Sequence, residues 1–121
     1  MKRRKYYDII LYIKESDNMN EYIIVKTLCD DKKIVEKISK DLLLKHLVSG
    51  TQISTVESTY WWNNEIESST EYLLEVRTKK SLFKEVEEII KKIHPYEVCE
   101  ISYYEINGSK EFLNWIEVNT K

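Results

Sequence analysis

The first clear pattern of apolar positions predicts a strand that is followed by a helix. Residues 21–28 form a short run rich in β-branched side chains, which is typical of a strand buried on at least one face. Apolar side chains then recur along one helical face, predicting a helix over residues 31–47 that Asp30 or Asp31 caps. Gly50 comes next, and its ability to take a positive φ angle predicts the end of this helix. The apolar stripe consists of Ile34, Val35, Ile38, Leu42 and Leu43.

A long hairpin is predicted over residues 51–78. Its two strands are joined near the pair Asn63-Asn64, because asparagine tolerates the left-handed backbone conformation that a tight turn requires. In the first strand, Ile53, Val56 and Tyr60 are unevenly spaced, which indicates a bulge or a change of face. In the second strand, residues 72–78 alternate well enough to predict regular pairing.

A second helix, a fourth strand and a terminal helix complete the predicted elements. Ser81 is expected to cap the second helix, and the dipeptide His94-Pro95 to end it, since a residue before proline avoids helical geometry. A strand is expected at residues 97–106, and a helix over residues 110–118 with Ser109 as its cap. The stripe of the second helix is formed by Leu82, Val86, Ile89, Ile90 and Ile93. The terminal helix is expected to bury Phe112, Leu113, Trp115 or Ile116.

The order of these elements predicts one α+β domain over residues 21–121. Strand, helix, strand, strand, helix and strand form the ferredoxin-like βαββαβ plan, in which a four-stranded antiparallel sheet carries two helices on one face. One face of the sheet is then left open, which favours oligomerisation. Residues 1–20 form an N-terminal extension, whose apolar run at residues 6–13 fits a short additional strand, although periodicity does not separate that from a helix.

Composition and charge narrow the classes of partner. The 121-residue chain carries 21 acidic and 19 basic residues, mostly interspersed, so its field suits neither nucleic acid nor another polyanion. A basic cluster at residues 2–5 is the exception and is typical of a solvated tail. The apolar run at residues 9–13, flanked by Asp8 and Lys14, is too short to span a membrane and lacks a small-residue cleavage site. We therefore expect a soluble protein of the cytoplasm, with Cys29 and Cys99 reduced.

The residues able to hold a metal ion are few. Copper prefers imidazole and thiolate ligands, so His94, Cys99 and Cys29 are the candidates, with His46 after them. None has ligand spacing, and capping of a helix end would account for His94 equally well. Catalytic carboxylate pairs, a Ser/His/Asp set and zinc-protease signatures are absent from the sequence, so we do not expect an enzyme.

Aromatic and charged side chains suggest a ligand cleft or an interface between subunits. Tyr60, Trp61 and Trp62 are adjacent, and such aromatics either anchor interfaces or stack on ligands. The remaining candidates for a polar cleft are Tyr96 and Glu97, with Arg77 and Lys79 expected nearby.

Several short motifs resemble the CutA family of divalent-cation tolerance proteins. They occur in order from about residue 21 to the C-terminus as Tyr60-Trp61-Trp62, Ile66-Glu67, Leu73-Leu74, Arg77-Thr78, His94-Pro95-Tyr96-Glu97-Val98 and Leu113-Asn114-Trp115-Ile116. The resemblance implies a homotrimer of ferredoxin-like subunits whose hairpins pair with their neighbours, as in PII signalling proteins. It also implies a role in the response to copper and other divalent metal ions, without an enzymatic reaction.

The sequence departs from the family pattern at two positions that bear on metal binding. Gly50 stands where the family often has a cysteine, and Cys99 stands where it usually has a proline. Three hypotheses follow. The first is a trimer that binds divalent cations, copper above all, through His94 and Cys99. The second is a PII-like regulatory trimer that binds a small anionic ligand between subunits. The third is a stable scaffold that docks a protein partner, with residues 1–20 as a docking element.

Overall fold

A computed structural model describes residues 21–121, so the additional strand expected within residues 1–20 lies outside the described residues. The described chain contains four strands: β1 (Tyr22–Cys29), β2 (Gly50–Trp62), β3 (Glu65–Lys79) and β4 (Ser102–Ile106). Its α-helices are α1 (Lys32–Leu44), α2 (Phe83–Ile93) and α3 (Lys110–Asn119). None of these helices is long and apolar enough to cross a membrane.

The strands form one antiparallel sheet in the order β2-β3-β1-β4. The central strands β1 and β3 pair from Tyr22 opposite Lys79 to Cys29 opposite Tyr72. This order, with α1 and α2 as the two crossovers, confirms the ferredoxin-like α+β plan.

The main core lies between one sheet face and the helices α1 and α2. Side chains alternate between the faces of a strand, so Ile23 and Val25 of β1 share this face with Val76 and Leu74 of β3. All four are at most 1% exposed. Burying each such side chain stabilises the fold by about 1.5–3 kcal/mol. The helices contribute Val35, Ile38, Leu42, Val86 and Ile90 to the same cluster.

The third helix covers one end of the opposite sheet face. The Tyr22 hydroxyl donates a hydrogen bond to Glu117 Oε1 at 2.9 Å, and Lys79 Nζ pairs with Glu117 Oε2 at 2.9 Å. Gly50 lies against Trp115, and a Cβ atom at this glycine would come within 2.9 Å of Trp115 Cη2. The absence of a side chain at Gly50 therefore permits close packing of α3 on the sheet. Ser109 caps this helix by accepting from the Phe112 amide, as predicted.

Two predicted helix boundaries are wrong. Asp31 caps α1 as expected, but the helix ends at Leu44 rather than residue 47, and Gly50 begins β2 without a positive φ. His46 takes the left-handed conformation instead, with φ 54°. The amides of Leu47 and His46 donate to the carbonyls of Leu42 and Leu43, which is the Schellman pattern that glycine usually completes. Ser81 does not cap α2, because it lies in the 3₁₀ turn Lys80–Leu82 that precedes the helix.

The predicted fourth strand is longer than the observed one. Its pairing with β1 ends at Lys26 opposite Ser102, so residues 97–101 are not part of a strand. Beyond that pair, the Leu28 carbonyl is bonded to the His94 side chain and the Asp30 amide to the Tyr96 hydroxyl, instead of to a neighbouring strand. Cys99 therefore lies in an irregular segment and not in a strand.

The predicted hairpin is confirmed, but its expected bulge is wrong. β2 and β3 pair residue for residue from Gly50 opposite Arg77 to Trp62 opposite Glu65. Asn63 and Asn64 form the turn with φ 50° and 64°. The pairing of β3 with β1 stops at Tyr72. The outer part of the hairpin, residues 56–71, therefore projects beyond the other strands of the sheet.

Candidate functional site

A cleft of about 710 Å³ lies where the projecting hairpin meets the segment after α2. Leu28, Ser58 and Glu71 line it, and their strand positions place them on the sheet face opposite the main core. The cleft is thus at the end of this face that α3 does not cover. Its aromatic lining consists of Tyr60, Trp61, Trp62 and Tyr96.

The ionisable lining of the cleft is acidic. Its five carboxylate residues are Asp30, Glu67, Glu71, Glu97 and Glu100. Lysine, arginine and histidine do not occur among the described residues that line it. Carboxylates along low-dielectric walls concentrate a negative potential inside a cleft, so this site attracts cations and repels anions.

Tyr96 connects the segment after α2 to both neighbouring strands. Its hydroxyl accepts a hydrogen bond from the Asp30 amide at 2.9 Å and donates one to Glu71 Oε2 at 3.1 Å. Glu71 is only 7% exposed, so this donor compensates a carboxylate that is largely removed from water. Burial, followed by the nearby negative charges of Glu71 and Asp30, raises the pKa of the Tyr96 hydroxyl above its usual range.

His94 does not line the cleft, but its side chain holds Tyr96 in position. Its Nε2 lies 2.6 Å from the Leu28 carbonyl oxygen, and its Nδ1 lies 3.2 Å from the Tyr96 amide nitrogen. A carbonyl only accepts and an amide only donates, which assigns the neutral tautomer with the proton on Nε2. The imidazole also meets the Tyr96 ring edge-on, with 4.7 Å between centroids. Both nitrogens are therefore engaged in hydrogen bonds within the fold.

The cysteines differ in their relation to the cleft. Cys99 is partly exposed and lies between Val98 and Glu100, which both line the cleft. Cys29 is fully buried, and its burial raises the pKa of the thiol, so it packs as a small apolar side chain. Across residues 21–121, no three His, Cys, Asp or Glu side chains are close enough together to hold a metal ion. A closed coordination site is thus not assembled within one described subunit.

The structure brings together four of the six predicted cleft residues. Tyr60, Trp62, Tyr96 and Glu97 all line the cleft. Arg77 and Lys79 do not line it within one subunit, because they lie about 20 Å or more along β3 from Glu71.

The two basic side chains are engaged at the other end of the sheet. Arg77 Nη2 donates to Gln52 Oε1 at 2.7 Å, and Lys79 pairs with Glu117. The positive charge expected in the cleft is therefore used elsewhere in the fold.

Sequence reasoning missed Asp30, Glu67, Glu71 and Glu100 as lining residues. One signal was present in the second hairpin strand, where Glu67 and Glu71 are four residues apart and so lie on the same face. Their proximity to Glu97 depends on the path of the chain after α2, which local periodicity does not contain.

The four-stranded sheet with its helices defines a small α+β protein of the ferredoxin-like class. The profile of the CutA1 divalent ion tolerance protein family matches residues 23–119. The chain belongs to this family. Residues 1–20 precede the matched region.

Curated relatives and solved structures agree with this assignment. The divalent-cation tolerance protein CutA of Archaeoglobus fulgidus is 38% identical over 85 residues, which are 68% of this chain and 81% of that protein. The CutA protein of Pyrococcus horikoshii is 32% identical over 100 residues, covering 82% of this chain and 98% of that protein. A structure described as the periplasmic divalent cation tolerance protein CutA from A. fulgidus has a TM-score of 0.80 at 32% identity, covering 83% and 99% of the two chains.

Proposed function

We propose that this protein binds divalent cations, copper among them, in the acidic cleft and thereby contributes to metal tolerance. The observation that carries the proposal is the cleft lining, which combines five carboxylates with no basic side chain among the described residues. The names of the relatives, divalent-cation tolerance proteins, support the same class of ligand. The cation is cargo in this proposal and not a resident cofactor.

Copper is compatible with carboxylate donors, although these do not form a closed coordination site within residues 21–121 of one subunit. For a given set of oxygen and nitrogen ligands, Cu²⁺ binds more tightly than the other divalent ions of its row, so a carboxylate cleft favours it without a dedicated cage. Cys99, flanked by two lining residues, would add a thiolate donor. His94 would become a ligand only by giving up a hydrogen bond to Leu28 or to the Tyr96 amide.

The cleft lining disfavours the alternative of a small anionic ligand. A nucleotide or another polyanion would enter a site whose carboxylates repel it. Arg77 and Lys79, the side chains that would have attracted such a ligand, are engaged at the other end of the face. The charge distribution therefore supports cation binding over PII-like binding of an anion.

Calorimetric titration with Cu²⁺ and with Zn²⁺ tests the proposal. We expect the double variant Glu97→Gln with Glu100→Gln to bind each ion about tenfold more weakly, since it removes two cleft charges and keeps their shapes, a change of about 1.4 kcal/mol. The matched control is Glu36→Gln with Glu88→Gln, which removes two exposed charges from helix surfaces outside the cleft. The variant Cys99→Ser, titrated under reducing conditions, tests the thiol separately. We expect it to lose more affinity for Cu²⁺ than for Zn²⁺.

Two results would contradict this assignment. If the cleft variant binds both ions as tightly as the unaltered protein, the cations do not bind in the cleft. If the control loses as much affinity as the cleft variant, binding reflects only the overall charge of the protein.

We also propose that the protein is a homotrimer assembled through the projecting hairpins. Trp61 and Ile66 are directly paired across the hairpin and are 71% and 64% exposed, an apolar patch of the kind that partner subunits cover. Light scattering is expected to give about 44 kDa, three copies of the 14.6 kDa chain. Trp61→Glu with Ile66→Glu is expected to lower this mass, whereas an unaltered protein of one-chain mass would refute the trimer.

A further inference from the structure

The five cleft carboxylates are uncompensated within the described part of the chain. The ion pairs among residues 21–121 involve acidic residues elsewhere, such as Glu21, Glu87 and Glu117, and none of the five. Glu71 is the most costly case, because it is 93% buried, faces the cleft and is bonded to an uncharged hydroxyl. A cationic occupant would relieve this concentration of negative charge.

The sequence supplies a cationic segment whose charge complements the cleft. Lys2, Arg3, Arg4 and Lys5 are consecutive, and they lie before the region that the family profile matches. We propose that these four residues bind in the acidic cleft and compete there with divalent cations. This inference concerns regulation of the site and rests on the proposed function for its consequence, although occupancy of the cleft stands on charge alone.

The length of the chain allows this contact. β1 begins at Tyr22 and reaches the cleft at its other end, an extended distance of about 26 Å for its eight residues. Residues 6–20 span up to about 50 Å when extended. This length is enough for the basic residues to reach the cleft of their own subunit, and such a tether would raise their local concentration there.

The aromatic lining suits arginine in particular. A guanidinium group is planar, is weakly hydrated for a cation, and both stacks on aromatic rings and pairs with carboxylates. Tyr60 and Trp62 offer the rings, and Glu67 and Glu97 offer carboxylates in the same cleft. A metal ion does not need aromatic rings for its coordination. Arg3 and Arg4, in contrast, would contact both the rings and the carboxylates.

Zero-length carbodiimide cross-linking of the full chain, in the presence of a chelator, tests the inference. The reagent joins a lysine amine to a carboxylate in direct contact as an amide and takes up the water released. We expect Lys2 or Lys5 to be linked to Glu67, Glu97 or Glu100 at least tenfold more often than to the exposed reference residues Glu36 and Glu88, as measured by peptide mass spectrometry. Arg3→Ser with Arg4→Ser, which keeps both lysines, is expected to lower the cleft links several-fold.

The outcomes separate this inference from the proposed function. Links spread evenly over cleft and reference carboxylates, an absence of links, or a yield unchanged by the arginine substitutions would overturn it. Because the cross-linking uses no added metal, these results would leave a calorimetric signal for cations in the cleft intact. Conversely, specific cleft links without cation binding would overturn the proposed function and leave the contact standing.

Discussion

Replacing His94 with asparagine is expected to lower the free energy of unfolding by about 2–3 kcal/mol. The substitution shortens a buried side chain that joins the Leu28 carbonyl to the Tyr96 amide, so at least one of these backbone groups loses its partner. His94 is 8% exposed, and water compensates poorly for the lost bonds at that depth. Denaturant unfolding in the presence of a chelator measures the effect of the fold alone.

The other histidine provides the matched control. His46 is exposed and has a φ angle of 54°, a conformation that asparagine tolerates well, so His46→Asn is expected to change stability by less than about 0.5 kcal/mol. Equal losses in the two variants would refute a supporting role for His94. A loss at His94 that appears only when Cu²⁺ is added would instead favour the prediction that His94 is a metal ligand.

The elements of the fold were predictable because each leaves a local trace in the sequence. The stripes of α1 and α2, the pair Asn63-Asn64 and the dipeptide His94-Pro95 identify helices, turn and boundary without reference to distant residues. Where a distant contact decides the conformation, the prediction is wrong. Gly50 is packed against Trp115 from the last helix, and no periodicity near residue 50 contains that contact.

The cleft was predictable only in part for the same reason. Tyr96 and Glu97 belong to one short motif, and Tyr60 and Trp62 to another, so both groups were visible as candidates. Which charges accompany them depends on how far β4 continues. Because β4 begins only at Ser102, residues 97–101 are not held in the sheet, and Glu97 and Glu100 line the cleft together with Asp30 and Glu71. The site is therefore acidic, whereas Arg77 and Lys79 in the sequence favour a mixed polar cleft.

Replacing Tyr96 with phenylalanine is expected to destabilise the fold by about 2 kcal/mol and to change how its stability depends on pH. The substitution keeps the ring but removes the hydroxyl that accepts from the Asp30 amide and donates to Glu71. The buried Glu71 carboxylate then has no donor in its place. Denaturant unfolding at pH 7 measures the first effect.

The direction of the pH effect follows from the raised pKa of the Tyr96 hydroxyl. Below about pH 10 the hydroxyl is neutral in both states, whereas above it the unfolded chain releases a proton that the folded chain retains, so stability falls as pH rises. Between about pH 10 and 11.5, the unaltered protein should therefore lose stability more steeply than Tyr96→Phe. Tyr103→Phe is the control, because that hydroxyl has no hydrogen bond among residues 21–121. Equal slopes in the unaltered protein and Tyr96→Phe would contradict the assignment of Tyr96 as the buried, neutral donor to Glu71.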